Sequence, residues 1–232
     1  MKKIAIIPAR SGSKGLKDKN IIDLCGKPML GYSIEAAIES KCFERVIVST
    51  DSSLYGAIAE SFGSEVIYRD ERISNDTATT FMVIEDVFRK IETDYDYFVL
   101  LQPTSPLRDQ THIIESVKLF ESKFDNFDYL VSMKEAEHNH LLVNPIDDDL
   151  SLKYFDTDFA NYRRQLYKDY SPNGAIFIGK KEAYLKQRHF FGAKSLGYIM
   201  NDFDSVDVDT ELDYNLAELC MRKKLGGTTV EN

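Results

Sequence analysis

Short apolar runs and amphipathic stretches alternate along most of the chain. Lys3 to Pro8 (KIAIIP) is apolar at successive positions, as a strand covered on both faces requires. Pro28 then opens a segment with Leu30, Ile34, Ala37 and Ile38 at helical spacing. The β-branched run Arg45 to Thr50 predicts another strand, Ser52 to Phe62 a helix stopped by Gly63, and Glu65 to Tyr68 a further strand. Phe81, Ile84, Phe88 and Ile91 make a helical stripe ahead of the strand Tyr97 to Leu101, and a helix over Thr111 to Glu121 precedes a strand over Tyr129 to Met133. Strands separated by helices of this length predict right-handed crossovers and an α/β fold, a mainly parallel sheet with helices on both faces.

The rhythm stops between Lys134 and Pro172, a segment rich in Asp, Asn and Tyr with no sustained period. It reads as an insertion, either a hairpin arm for subunit contact or a solvated loop. The core resumes with Gly174 to Gly179 and Leu196 to Met200, then closes with a helix carrying Leu212, Leu216, Leu219 and Cys220. Thr210 and Asp213 are placed to cap that helix and Gly226 to end it.

Composition narrows the function classes. With 232 residues, 43% of them hydrophobic, the chain suits one large domain with a packed interior. Its 29 Lys and Arg against 38 Asp and Glu, a net charge of -9, lack the broad basic face that binds nucleic acid, so any polyanion must meet a local cluster. The apolar run behind Met1-Lys2-Lys3 is shorter than the ~7 to 15 residues of a signal-peptide core, and nothing reaches the ~18 of a membrane span. The expectation is a cytoplasmic protein. Cys25, Cys42 and Cys220 are scattered without a CxxC pair, which indicates neither a disulfide framework nor a zinc site.

Against that acidic background the stretch IIPARSGSKGLKDKN, residues 6–20, stands out. It leaves a buried strand and places Arg10, Lys14, Lys17 and Lys19 around Gly12 and Gly15, where backbone N–H groups can approach a phosphate. The spacing matches neither G-x-x-x-x-G-K-[ST] nor G-x-G-x-x-G, which disfavours both the kinase-like phosphate loop and the dinucleotide fingerprint; a solvated basic turn is the competing reading. Near the other end, Ser205-Val206-Asp207-Val208-Asp209, if extended, turns both carboxylates to one side and both valines inward. Paired carboxylates suit Mg²⁺, a hard cation that takes its remaining ligands from water and substrate phosphates. A cation at the phosphates together with lysines on the leaving pyrophosphate is what nucleotidyl transfer requires. A third strand end, LLQPTSPLR, spills into a loop stiffened by Pro103 and Pro106, which would hold Gln102 where a substrate hydroxyl can meet it.

Taken in order, ARSGSKGL with Lys19-Asn20, LLQPTSPLR, NGAIFI, YIM and SVDVDTELD resemble the acylneuraminate cytidylyltransferases, the CMP-sialic acid synthetases, over nearly the whole chain. The resemblance implies a Rossmann-like sheet of the nucleotide-diphospho-sugar transferase type with a dimerisation arm, here residues 134–172, within one domain spanning 1–232. It implies an enzyme that joins CTP to a free, acidic nine-carbon 2-keto sugar with Mg²⁺, as a homodimer, giving the CMP-sugar and pyrophosphate. By position Arg10, Ser13, Lys14 and Lys19 match the family's triphosphate contacts, and Asn20, Arg69, Ala78 and Thr80 its nucleoside site. Gln102 matches a residue at the sugar, Arg163 or its neighbour Arg164 the arginine that meets the sugar carboxylate, and Phe190 with Phe191 the aromatic pair beside the acyl group. Asp207 and Asp209 match the metal carboxylates, with Asp209 expected to help deprotonate the attacking hydroxyl. Two departures stand out: Lys17-Asp18 replaces a proline-stiffened stretch, and Glu137-His138-Asn139-His140 stands where a substrate-facing lysine is common, leaving open which nonulosonate is taken: N-acetylneuraminate, legionaminate or pseudaminate. A Kdo cytidylyltransferase and a nucleotide-sugar sensor without catalysis are the alternatives.

Overall fold

The computed structural model describes residues 1–12, 15–75, 77–163 and 168–226. Its centre is a sheet of seven strands: β1 (Lys3–Pro8), β4 (Arg45–Thr50), β5 (Glu65–Tyr68), β6 (Tyr97–Leu101), β7 (Tyr129–Glu135), β8 (Tyr170–Lys180) and β9 (Ser195–Ile199). They lie in the order β5-β4-β1-β6-β8-β7-β9. The first four in that order run parallel, β8 runs antiparallel to both of its neighbours, and β9 is again parallel to β7. Two short strands, β2 (Asp23–Leu24) and β3 (Lys27–Pro28), form a separate hairpin around Cys25-Gly26.

Alternation along the strands splits the core in two. Ala5 and Ile7 of β1, Val48 of β4 and Tyr97, Val99 and Leu101 of β6 face helices α1 (Met29–Glu39), α2 (Ser53–Ser61) and α4 (Gln110–Ser122). Ile4, Ile6, Ile47, Phe98 and Leu100 face the other way, onto α3 (Thr80–Lys90) and α5 (Lys181–Gln187). This three-layer arrangement is why the strands read as unbroken apolar runs. A third cluster joins Val206 and Val208 to Leu107 and to the inner face of α6 (Glu211–Lys224).

Caps follow the sequence closely. Ser52 Oγ accepts from Tyr55 N at the start of α2, and Thr210 and Asp213 form a reciprocal capping box at α6. The leucine stripe of α6 differs from the expectation: Leu212, Leu216 and Leu219 are exposed, whereas Ala217, Cys220 and Met221 are buried. The face of α6 that packs against Val206 and Val208 is the one carrying Ala217, Cys220 and Met221.

The insertion leaves at the end of β7 and returns at the start of β8, where Lys134 pairs with Ser171 and Glu135 with Tyr170. Chain that returns to its point of departure can pair only antiparallel, which sets the direction of β8. Between these ends the described residues hold one short 3-10 turn, His140–Leu142, and the His140 ring contacts Asp169 at 2.8 Å.

Candidate active site

The parallel strands β4, β1 and β6 are neighbours, and their carboxyl ends open into one cleft. A cavity of about 570 Å³ lies there, lined by Arg10, Gly15, Lys19, Asn20, Arg69, Ala78, Thr79, Thr80, Gln102, Thr104, Asp207 and Asp209 among others. Side chains from opposite ends of the chain thus share one wall.

Local structure explains the placement of each group. The loop after β1 is held at its root by Asp51, whose carboxylate accepts from Ser11 N and Ser11 Oγ, both at 2.8 Å. Asn20 is buried and its Nδ2 donates to the Arg10 carbonyl at 3.0 Å, tying the two ends of the loop together. Asp18, standing in the stretch that lacks proline, accepts from Tyr55 OH at 3.1 Å, and its carbonyl accepts from Ile21 N at 2.9 Å to start the 3-10 turn Lys19–Ile21. That turn aims Lys19 at the carboxylate segment: Nζ donates to the Val208 carbonyl at 3.2 Å and forms an ion pair with Asp209 Oδ1. Gly15 approaches the same segment so closely that a Cβ on it would lie 2.5 Å from the Asp209 carbonyl oxygen.

Opposite the loop, Val206 and Val208 are buried, and Asp207 and Asp209 turn into the cavity. Val208 N donates to Thr104 O at 2.8 Å, joining this segment to the loop after β6. Burial pushes the Asp207 carboxyl above the usual aspartate range; the Asp209 charge adds to the shift, while Thr104 and Lys19 oppose it. Asp207 Oδ1 is buried with no hydrogen-bond partner among the described residues. Arg69 is pulled down to about 10 by burial, and its Nη2 donates to the Ser49 carbonyl at 2.6 Å. The start of α3, capped by Thr79, points its N-terminal end into the cleft.

The floor is a defect in the sheet. The β7/β8 register shifts between Val131, opposite Phe177, and Met133, opposite Pro172. Side chains replace the missing ladder bonds: Ser132 Oγ donates to Asn173 Oδ1 at 2.6 Å and accepts from Ile176 N at 2.7 Å, and Asn173 Nδ2 donates to Ser205 Oγ at 2.9 Å. Gly174, at φ 79°, lies beneath Gln102 and Asp207. Behind Gln102, Arg108 is only 1% exposed; its Nη2 donates to Ser33 Oγ at 2.7 Å and to the Gln102 carbonyl at 3.3 Å.

All of these groups lie within residues 4–219, which match the family described as Cytidylyltransferase. The chain belongs to the cytidylyltransferase family. The N-acylneuraminate cytidylyltransferase of Escherichia coli O18:K1:H7 (strain RS218 / NMEC) is 49% identical to it over 221 residues, covering 95% of this chain and 52% of that protein. This cytidylyltransferase chain therefore spans about half the length of that relative. The CMP-N,N'-diacetyllegionaminic acid synthase of Legionella pneumophila subsp. pneumophila (strain Philadelphia 1 / ATCC 33152 / DSM 7513) is 30% identical over 230 residues, covering 95% of this chain and 97% of that protein. A solved CMP:2-keto-3-deoxy-manno-octonic acid synthetase complexed with CTP shares the fold, with a TM-score of 0.72 at 17% identity over 97% of this chain and 100% of that one.

Set against this cleft, the residues singled out from the sequence separate into groups. Arg10, Lys19, Asn20, Arg69, Ala78, Thr80, Gln102, Asp207 and Asp209 line the one cavity. Gln102, Phe190 and Phe191 line a second, mostly apolar cavity of about 810 Å³ that shares Thr79, Thr80 and Gln102 with the first. Phe190 is also core, with ring centroids 4.6 Å from Tyr184 and 5.1 Å from Phe177, while Phe191 is exposed. Arg163 lines neither cavity and donates from Nη1 to the adjacent Tyr162 carbonyl at 2.9 Å. Ser13, Lys14 and Arg164 lie outside the described residues. Asp51, Thr79, Thr104 and Gly174 were not singled out from the sequence; Thr104, inside the quoted LLQPTSPLR, and Gly174, inside NGAIFI, lay in motifs that carried a signal, whereas Asp51 and Thr79 had none.

Proposed function

We propose that this chain activates a free, acidic nine-carbon 2-keto sugar of the sialic acid class with CTP, forming the CMP-sugar and releasing pyrophosphate. The observation that carries the reading is the meeting of Arg10 and Lys19 with Asp207 and Asp209 across a single cavity. Cations for a polyphosphate and carboxylates for a hard metal ion are then within reach of the same phosphates. The names of the N-acylneuraminate and diacetyllegionaminic acid relatives support the same substrate class.

In this reaction the anomeric C2 hydroxyl of the sugar attacks the α-phosphorus of CTP in line, a new O–P bond forms, and the bond to the bridging oxygen of pyrophosphate breaks. Asp209 takes up the hydroxyl proton. Arg10 and Lys19, joined by Lys14, neutralise the departing pyrophosphate, while Asn20, Arg69, Ala78 and Thr80 seat the nucleoside. Asp207 and Asp209 would hold Mg²⁺; the buried Oδ1 of Asp207, without a partner among the described residues, is a donor of the type a hard cation seeks. Among the described residues no third His, Cys, Asp or Glu joins them, which suits a cation that takes further ligands from phosphate and water. When bound, Mg²⁺ supplies positive charge at the reacting phosphate. Gln102, at the junction of the two cavities, orients the sugar, and the space beside Phe190 and Phe191 takes its acyl group.

The proposal extends to a cytoplasmic homodimer in which residues 1–232 form one domain, residues 134–172 its subunit arm, and Arg163 or Arg164 meets the sugar carboxylate. The exposed Val143, Ile146, Leu150 and Leu152 of that segment, and the absence of Arg163 from the linings of both cavities, support an arm that works against another copy. Pyrophosphate release with CTP, Mg²⁺ and a panel of N-acetylneuraminate, legionaminate, pseudaminate and Kdo tests the reading. Release with one or more of the nine-carbon acids is the expected result. Release with Kdo alone would move the assignment to that sugar, and no release with any member would leave a nucleotide-sugar sensor.

A further inference from the structure

We infer that the Lys19 ammonium is an internal counter-cation that occupies the carboxylate site until a triphosphate draws it away, so that nucleotide and divalent cation bind with positive coupling. The inference rests on the assignment of Asp207 and Asp209 as the metal carboxylates made above.

Two residues dock the basic loop on the carboxylate segment. Lys19 Nζ is paired with Asp209 Oδ1 and donates to the Val208 carbonyl at 3.2 Å, and the Gly15 backbone lies directly against the Asp209 carbonyl. One protein group therefore holds two anionic or dipolar acceptors of the segment at once. A divalent ion approaching Asp209 while this pair is formed meets an ammonium already on the carboxylate, a like-charge neighbour at contact distance. It gains only Asp207 outright, because no third acidic or imidazole ligand is gathered there among the described residues.

A triphosphate changes both sides of this balance. It offers Lys19 oxygens of higher charge than one carboxylate, and Lys19 is carried on a turn already aimed into the cavity, so the ammonium need only swing on its own side chain. Asp209 is then released at the moment the phosphates supply the missing ligands for the cation. Coupling of this kind is reciprocal: the nucleotide tightens the metal by the same factor as the metal tightens the nucleotide.

The test is Mn²⁺ titration followed by the electron paramagnetic resonance of the free ion, with the Mn²⁺ held by free CTP subtracted, on wild type, Lys19→Met, Lys19→Arg and Asp207→Asn. Circular dichroism melting first establishes that each variant is folded. Without nucleotide, Lys19→Met should bind Mn²⁺ about tenfold more tightly than wild type, and the extra tightening on adding CTP should shrink by a similar factor. Lys19→Arg, which keeps a cation over Asp209, should behave like wild type. Unchanged or weaker nucleotide-free Mn²⁺ binding in Lys19→Met overturns the counter-cation and makes the ion pair a simple tether of the loop. If Asp207→Asn leaves Mn²⁺ binding intact in the CTP complex, the metal assignment has failed and the inference falls with it, a result that the Lys19 variants by themselves would not produce.

Discussion

Replacing Gly174 with alanine separates backbone strain from loss of the site, because each has its own readout. The residue sits at φ 79° in the register shift between β7 and β8. An L-residue held in that left-handed region costs roughly 1–2 kcal/mol. For a chain of this size, each kcal/mol shifts the melting temperature by about 2–4 °C, so a fall of roughly 2–8 °C is expected. The added methyl would also stand 2.8 Å from Gln102 Oε1 and 3.1 Å from Asp207 Oδ2. The Gln102 side chain ends in a flexible amide and can yield, whereas Asp207 is flanked by the buried Val206 and Val208 and cannot. Gln102 is therefore displaced by the order of an ångström, and a misplacement of that size costs about 100-fold in turnover. Differential scanning fluorimetry reads the first effect and steady-state pyrophosphate release the second. In a Gln102→Ala background the clash is gone and the strain is not, so Gly174→Ala should there keep its thermal penalty while adding little to the loss of turnover. A Gly174→Ala protein that melts like wild type and turns over within about twofold of it would refute both the strain and the contact.

Two further outcomes follow from the buried Arg108 and the half-buried Asp109 beside it. Arg108 is pulled down to about 10 by burial, and its Nε and Nη1 have no partners among the described residues, so its visible work is the pair of bonds to Ser33 and to the Gln102 carbonyl. Arg108→Met is expected to leave the melting temperature level or higher while raising KM for the sugar several-fold and KM for CTP little; a drop in stability with unchanged sugar KM would contradict this. Asp109, which caps α4, is lifted by burial but held well below the usual carboxylate range by His112 and by Lys224, whose Nζ is 2.8 Å from Oδ2. A carboxyl with a depressed folded-state pKa adds stability that is present above the unfolded value and lost as pH falls through the folded one. Asp109→Asn keeps a competent cap and removes the charge, so it should lower the melting temperature by a few degrees near neutrality, with the deficit shrinking below about pH 4; an equal deficit in acid would show that the charge is not the cause.

The layered sheet was legible because its signals are local. Lys3–Pro8, Arg45–Thr50 and Tyr97–Leu101 occur where the apolar runs place them, since a strand buried on both faces needs no partner information to be recognised, and the half-exposed edge strand Glu65–Tyr68 was marked by its short Val-Ile-Tyr run after Gly63. The hairpin around Cys25-Gly26 and the seven-residue α5 are too short for any period to show. The antiparallel course of β8 and the outward face of Leu212, Leu216 and Leu219 depend on what lies alongside, which periodicity does not encode.

The candidate site divides in the same way. Its chemistry was written locally: a basic glycine loop behind a buried strand, a carboxylate pair on an alternating segment, and a glutamine at a strand end. What those groups do to one another was decided only in three dimensions. Lys19 and Asp209 are 190 positions apart, and the fold alone sets them in contact, leaves Asp207 Oδ1 buried without a partner among the described residues and draws the Gly174 backbone beneath Gln102. Residue type and spacing determine charge, periodicity and local conformational freedom; burial, partners and pKa belong to surfaces that chain closure brings together.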